Sequence, residues 1–589
     1  MDDGRIWMGT VVLNWIVRIG SLSWLTGPIF DKELRVSSRR RRNYVLRFAY
    51  IALFAFVLSL IWLDVVSYDS SSAYQSSRMA AAGKIIMSVV LWFEFIAVQL
   101  IAIVMLSTSI SDEIYGRTLG VLMTTPIGSV QIVVGKLLSK LLQLVLLLAI
   151  TLPLMAIVRV FGGVPWDYLL CSLCAILTTG LLVGSLSLLF SIFTRRAYVV
   201  ILVVILVLVT VFLFIPMITM FLVHRVVSER AFVNVLLYVN PYVVMAMAID
   251  ALESAKPMST VHWQAHCGLS LGVSALLLFV STVLVRKAAL RQATGQPGLW
   301  SGGRKLGDEA ARFGQTRRVM GAPVLWKERR MPLLGRRKGW MIAAICLALA
   351  LLALTYYGCY REEMLDEEEA QTTYIVIFLG LGMLFSVVLP ATCITSEKES
   401  RTWPLLLTTT TGDGDIITGK LVGALRRCLP AWLFLVGHVL LFTLMGFIHP
   451  FGVVQLAILV VWVMFFLSST GVYFSVRFKH TTTAVIANMG LAAGLWAIFP
   501  LLLGLLLMGT HADTDVLEVY LDTNPVVHAI VIALASSGRG GIDDYEWVNG
   551  NSSSVFRATA WMLLCFTLYV GVAVMFTKRA IKRLRLNSF

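Results

Sequence analysis

Charge is scarce in this chain: 14% of its 589 residues are Asp, Glu, Lys or Arg, while 58% are hydrophobic. A soluble globular domain carries roughly a quarter charged residues, so a water-soluble enzyme or binding domain is excluded, and the mean hydropathy of +0.83 agrees. Acidic residues are the scarcer sign, 33 against 49 basic ones. Cysteine is thin as well. Its eight residues are scattered, mostly through apolar stretches, which excludes a disulfide framework. The opening Met1-Asp2-Asp3 has no basic run, so no cleavable secretion signal is expected. A phosphate loop is also missing. The nearest approach, Gly414-x4-Gly419-Lys420, has Leu421 where Ser or Thr must hold magnesium, and it opens an apolar run instead of following a strand. No cofactor is therefore expected on this chain.

What the chain does have is a series of apolar runs of about 20 residues, long enough to cross hydrocarbon as helices. Roughly twelve occur: 44–63, 85–106, 136–158, 168–193, 198–223 and 268–285, then 340–356, 374–394, 420–447, 453–476, 484–508 and 558–577. They are continuous, without the alternation of a membrane β-barrel. An all-α polytopic membrane protein is the expected fold class.

The excess of basic residues has a definite placement. Arg39 to Arg42 precede the first run, fourteen Lys/Arg lie in 286–339, and the tail holds Lys578, Arg579, Lys582, Arg583 and Arg585. By contrast, Glu362, Glu363, Asp366, Glu367, Glu368 and Glu369 follow the seventh run with Arg361 alone. Basic flanks stay inside during insertion, so both termini and the central linker are expected in the cytoplasm, with the acidic loops outside. Charges dispersed in this way form no nucleic-acid footprint.

One signature occurs twice. Residues 113–136 read EIYGRTLGVLMTTPIGSVQIVVGK and residues 397–420 read EKESRTWPLLLTTTTGDGDIITGK. At an offset of 284, Glu113 falls on Glu397, Arg117 on Arg401, Thr118 on Thr402 and Gly135-Lys136 on Gly419-Lys420. Asn240-Pro241 matches Asn524-Pro525 at the same offset. Before the first run of each half, Pro28 to Glu33 matches Pro323 to Glu328, so Lys32-Glu33 corresponds to Lys327-Glu328. The chain therefore reads as two parallel six-span halves, 1–286 and 322–589, joined by a basic, Gly-containing linker at 287–321.

This order of elements resembles the type-2 class of ABC transporter permeases. A Lys-Glu segment precedes span one, Glu-x3-Arg-Thr-x3-Leu-x-Thr-Thr follows span two, Gly-Lys opens span three, and Asn-Pro stands before span six. The resemblance implies a permease, in most cases an exporter, with substrate passing between the halves of a plasma membrane protein (the inner membrane of a bacterium). It further implies two copies of a separate nucleotide-binding subunit that carry ATP and magnesium. Coupling to those partners would fall to Lys32, Glu33, Glu113, Arg117, Thr118, Lys327, Glu328, Glu397, Arg401 and Thr402. The second copy departs from the first at Thr410 for Pro126 and at Gly412-Asp413-Gly414-Asp415 for Gly128-Ser129-Val130-Gln131, so unequal docking surfaces are expected. Independently of family, Glu113 and Arg117 are spaced i,i+4 and would share one helix face, able to pair with each other or with a partner.

Within the spans, ionisable groups point to function. Glu94 and His438 are candidates for a substrate path, although neither recurs in the other half, which speaks against a paired proton relay. An ion-driven secondary transporter is the alternative class, since repeats occur there too. His262 and His266 with Cys267 offer a weak metal grip. Gly180-x3-Gly184 and Gly490-x3-Gly494 suit close helix packing.

Overall fold

The computed structural model describes residues 28–33, 35, 44, 48, 51–52, 55–56, 59, 72–115, 118–194, 196–223, 228–254, 262–294, 321–330, 338–510, 515–537, 545–547 and 552–586. The all-α expectation holds. Among the described residues the only strands form a short antiparallel hairpin pairing Tyr545–Glu546 with Ser552–Ser553. Among the described residues ten helices are long and apolar enough to cross a membrane, or up to twelve if each of two bent helix pairs counts as one span. These ten fall on ten of the expected runs. The seventh run lies in the helix Lys338–Arg361, and the first, 44–63, lies largely outside the described residues.

Two compact units are present, one within 1–208 and 229–314, the other within 209–228 and 315–589. The first contains α1 (Ser72–Leu106), α2 (Ser111–Tyr115), α3 (Leu119–Thr124), α4 (Ser129–Gly162), α5 (Trp166–Phe193), α6 (Ala197–Val209), α7 (Glu229–Val239), α8 (Pro241–Glu253) and α9 (Trp263–Ala293). Its core joins α1, α4, α5 and α8 through Phe95, Leu144, Ile176 and Met245. Glycine makes the closest approach possible: a Cβ at Gly180 would sit 2.8 Å from Val98, and one at Gly184 2.8 Å from Leu106.

In the second unit lie α10 (Pro323–Arg330), α11 (Lys338–Arg361), α12 (Glu368–Thr392), α13 (Thr395–Glu399), α14 (Trp403–Leu407) and α15 (Asp413–Leu444). These are followed by α16 (Pro450–Arg477), α17 (Thr481–Ala493), α18 (Asp515–Leu521), α19 (Pro525–Ser536) and α20 (Val555–Arg583). Central α16 packs on α12, α15 and α20. The glycine expectation fails in this half, because a Cβ at Gly490 or Gly494 would meet nothing within 4 Å. The tight contact is instead at Gly382, where a Cβ would stand 2.6 Å from the Trp432 ring.

The long connections before the last span of each half are not plain loops. Residues 230–239 and 241–253 form helices bent by 113°, and α18 with α19 is bent by 80°. The repeated Asn-Pro explains both breaks. Proline fixes φ and lacks an N–H, which suits it to the first turn of a new helix. The Asn side chain caps that helix: Asn240 accepts from Tyr242 N and Asn524 from Val526 N, each at 3.0 Å. A second echo of the duplication is purely conformational. Short π-helical turns occur at Thr210–Phe214 and Gly494–Ile498, again 284 residues apart.

Candidate coupling site

Each half builds the same short element outside its spans. In the first, α1 ends at Leu106, the chain turns through α2 and α3, and α4 opens with Gly135-Lys136 inside its first turns. Lys136 Nζ lies 2.9 Å from Glu113 Oε1 and donates to the Ser109 carbonyl. Thr118 donates to the other Glu113 oxygen, and its backbone N–H reaches the Glu113 carbonyl at 3.0 Å. Burial alone would raise the Glu113 carboxyl. The Lys136 ammonium, the Thr118 and Lys136 hydrogen bonds and the charge of Lys32 outweigh it and hold this acid below the usual glutamate range. Lys32 itself is exposed on the helical segment 28–33, while Glu33 of that segment pairs with Lys140 at 3.2 Å.

The second half repeats the Glu–Lys pair and then consolidates it. Lys420 Nζ lies 2.6 Å from Glu397 Oε1 and 2.7 Å from Glu328 Oε1. One buried lysine thus ties the segment after span two to α10. Arg427 pairs with the second Glu328 oxygen, Arg426 donates to the Glu328 carbonyl at 3.4 Å, and Lys327 adds a longer contact to Glu397 at 3.6 Å. Glu328 is buried, which would raise its carboxyl, yet Lys420 first, then Arg427 and Lys327, hold it below the usual range. Two glycines let α10 lie this close: a Cβ at Gly419 would meet Leu325 N at 3.0 Å, and one at Gly423 would meet Glu328 Cβ at 2.8 Å.

The expected i,i+4 face is not formed here. α13 ends at Glu399, and Arg401 sits at φ 56, a left-handed conformation that turns the chain away from the helix. Glu397 and Arg401 therefore share no helical face, and Glu397 takes its cations from α15 and α10. Arg401 and Thr402 are exposed, and Thr402 N–H and hydroxyl both reach the Glu397 carbonyl, at 3.0 and 3.3 Å. Arg117 lies outside the described residues. The cations that complete both sites, Lys136, Lys140, Lys420 and Arg427, were not among the expected site residues. Lys136 and Lys420 were signalled by the Gly-Lys duplicated at the start of span three, whereas Lys140 and Arg427 fall on Ala424 and Gln143 at the repeat offset and carried no such signal.

Glu94 and His438 are drawn into helix packing. Glu94 is fully buried and accepts from Thr151 of α4 at 2.5 Å. His438 Nδ1 is 2.6 Å from the Tyr356 hydroxyl, inside a shell of Tyr374, Phe378 and Phe442. His266 Nδ1 meets the Tyr238 carbonyl at 2.9 Å. Among the described residues no group of three or more His, Cys, Asp or Glu could hold a metal.

Two features face outward at equivalent positions. Val121 on α3 is 65% exposed and Leu405 on α14 is 70% exposed, and the two are 284 residues apart. Each sits on a short, largely apolar helix, LGVLMT in α3 and WPLLL in α14, so the two copies present an aliphatic side chain at the same repeat position.

A multi-pass membrane component with a duplicated polar element beside its spans is the class that this fold and site define. Residues 28–290 match the family model described as ABC-2 family transporter protein. The match spans less than half of the chain and agrees with the resemblance to type-2 permeases, and the second half carries the repeated signature. Membrane domains of that family are transport components. No curated protein matches the chain.

Proposed function

We propose that this chain is the permease of an ATP-driven exporter, with ATP and magnesium held by two separate nucleotide-binding subunits. It would lie in a plasma membrane with both termini and the basic linker on the cytoplasmic side, among lipids whose anionic headgroups suit the Lys/Arg flanks. The partners would seat on α3 and α14, with Val121 and Leu405 as apolar knobs. The latches behind them, Glu113–Lys136 and Glu397–Lys420–Glu328, would pass the displacement into spans three and nine and into the interfacial segments.

The observation that carries this reading is the duplicated Glu–Lys latch behind an equivalent exposed apolar residue. An exposed aliphatic residue at the same place in both copies supports a contact with a partner in addition to the cap that the latch provides. The ion-driven alternative is not favoured by the family match. Its expected mark, an ionisable pair repeated within the spans, is missing from the sequence, since Glu94 aligns with Phe378 and His438 with Leu154. To test the proposal, the chain is purified from its own cells with bound proteins read by mass spectrometry. A phosphate-loop ATPase should copurify and be lost from Val121→Asp with Leu405→Asp, while membrane insertion is retained. Undiminished retention of that ATPase by the double variant would overturn the docking assignment.

A further inference from the structure

Nine buried side-chain polar atoms in the second unit have no hydrogen-bond partner among the described residues, and three of them belong to neighbouring side chains: Asp522 Oδ1, His528 Nε2 and Trp462 Nε1. Their residues are 9%, 1% and 0% exposed. His528 links the other two, lying against the Asp522 backbone and the Trp462 ring. Asp522 is in the turn that breaks α18 from α19, His528 is one turn into α19, and Trp462 is near the middle of α16. His528 stands edge-on to Trp462, with ring centroids 6.3 Å apart, and edge-on to Trp547 at 5.4 Å. Trp561 fixes the backbone by donating to the Asp522 carbonyl at 2.9 Å.

The turn is pinned deep in the unit. Asn524 Nδ2 donates to the Trp496 carbonyl at 2.8 Å, and the Tyr520 hydroxyl to the Leu495 carbonyl at 2.7 Å. Both carbonyls belong to the π-helical turn halfway along the span Thr481–Gly504, a feature frequent at functional sites. A broken helix pair with ionisable groups at its tip, meeting an irregular turn within a span, is the arrangement by which membrane proteins hold polar ligands. A buried polar group without a partner is costly, so three in one neighbourhood favour an occupant that completes them.

From this we infer that the Asp522–His528–Trp462 cluster binds a vicinal diol, the shared chemistry of sugars and glycerol headgroups. The partners select it. Asp522 and His528 offer lone pairs that need donors, while the Trp462 N–H needs an acceptor. An ammonium has no acceptor for Trp462. A phosphate ester or carboxylate brings no donor and would be repelled by Asp522. Two adjacent hydroxyls supply both roles. The site belongs to one half only, because at the repeat offset the three residues fall on Tyr238, Val244 and Thr178. That the bound diol is cargo rests on the permease reading; the binding itself does not.

The full chain in phosphatidylcholine nanodiscs is titrated by calorimetry with octyl β-glucoside, 1-octanoylglycerol and octylphosphocholine, three amphiphiles sharing one tail length. The diol amphiphiles should bind saturably and the phosphocholine should not. Response to the glucoside alone identifies a sugar, and response to the monoglyceride alone a lipid headgroup. Trp462→Phe keeps the ring and removes only the N–H, and Asp522→Asn is isosteric; each should weaken binding at least tenfold. Equal binding of all three amphiphiles, or affinities unchanged in Trp462→Phe, would show that the cluster holds only water or a nonspecific tail.

Discussion

Replacing Lys420 by Met tests the latch where it is tightest. Lys420 contacts Glu328 at 2.7 Å and Glu397 at 2.6 Å, and both Lys420 and Glu328 have almost no exposed side chain. Removing one partner of a buried ion pair costs about 3–5 kcal/mol because the remaining charge is stranded. Glu328 keeps Arg427, and Glu397 keeps the longer contact to the largely exposed Lys327. A cost of about 2–3 kcal/mol for holding α10 on α15 is therefore the working magnitude, below that full range. At 1.36 kcal/mol per factor of ten, local opening should rise roughly 30- to 150-fold. The assay is amide hydrogen exchange over 323–330, which reads local opening directly. Lys136→Met is the control, because the first-half segment 28–33 is held by Lys140 and not by Lys136. Exchange in 28–33 should be unchanged in that variant. If 323–330 exchanges no faster in Lys420→Met, or 28–33 opens equally in Lys136→Met, the shared-lysine argument is wrong.

Three further outcomes follow from the geometry. Glu113 and Glu328 are both held below the usual glutamate range. Their contribution should therefore be fully present above about pH 4.3 and lost as pH falls through the depressed folded values, whereas a raised value would give loss on the alkaline side. Exchange at 323–330 from pH 6 downward, corrected for the intrinsic pH dependence of amide exchange, reads this for Glu328, and exchange at 118–124 reads it for Glu113. Asn524→Ala removes the cap on Val526 and the bond to the Trp496 carbonyl. It should cost about 1–2 kcal/mol and expose α18–α19 to proteolysis, while α10 stays protected. Gly382→Ala places a methyl against the Trp432 ring, whose N–H holds Ser386 at 3.0 Å. The melting temperature should drop unless Trp432→Phe is added to relieve the crowding.

Much of this architecture was legible in the residues. Continuous apolar runs located the spans, because hydrocarbon demands that each backbone polar group be satisfied within its own helix. The duplicated block located the two Glu–Lys latches, because Glu, Gly and Lys recur at one offset. Three things were not legible. Pairing partners were hidden, since Glu397 finds Lys420 through the fold of the turn and not along a helix face; Arg401 at φ 56 breaks the i,i+4 pattern that the spacing suggested. The bent pairs α7–α8 and α18–α19 read as connections, because Asn-Pro signals a break without saying that helices flank it on both sides. The Asp522–His528–Trp462 cluster could not be seen at all, being made of residues from distant segments with no counterpart in the first half.

The central claim is that this chain borrows its energy from detachable ATPases. It is tested by reconstituting the chain into sealed vesicles with and without the ATPase that copurifies with it, and following vanadate-sensitive ATP turnover and movement of the copurifying cargo. ATP-dependent, vanadate-sensitive movement only when the ATPase is present is the expected result. Full-rate movement by the chain alone, driven by an ion gradient, would contradict the account.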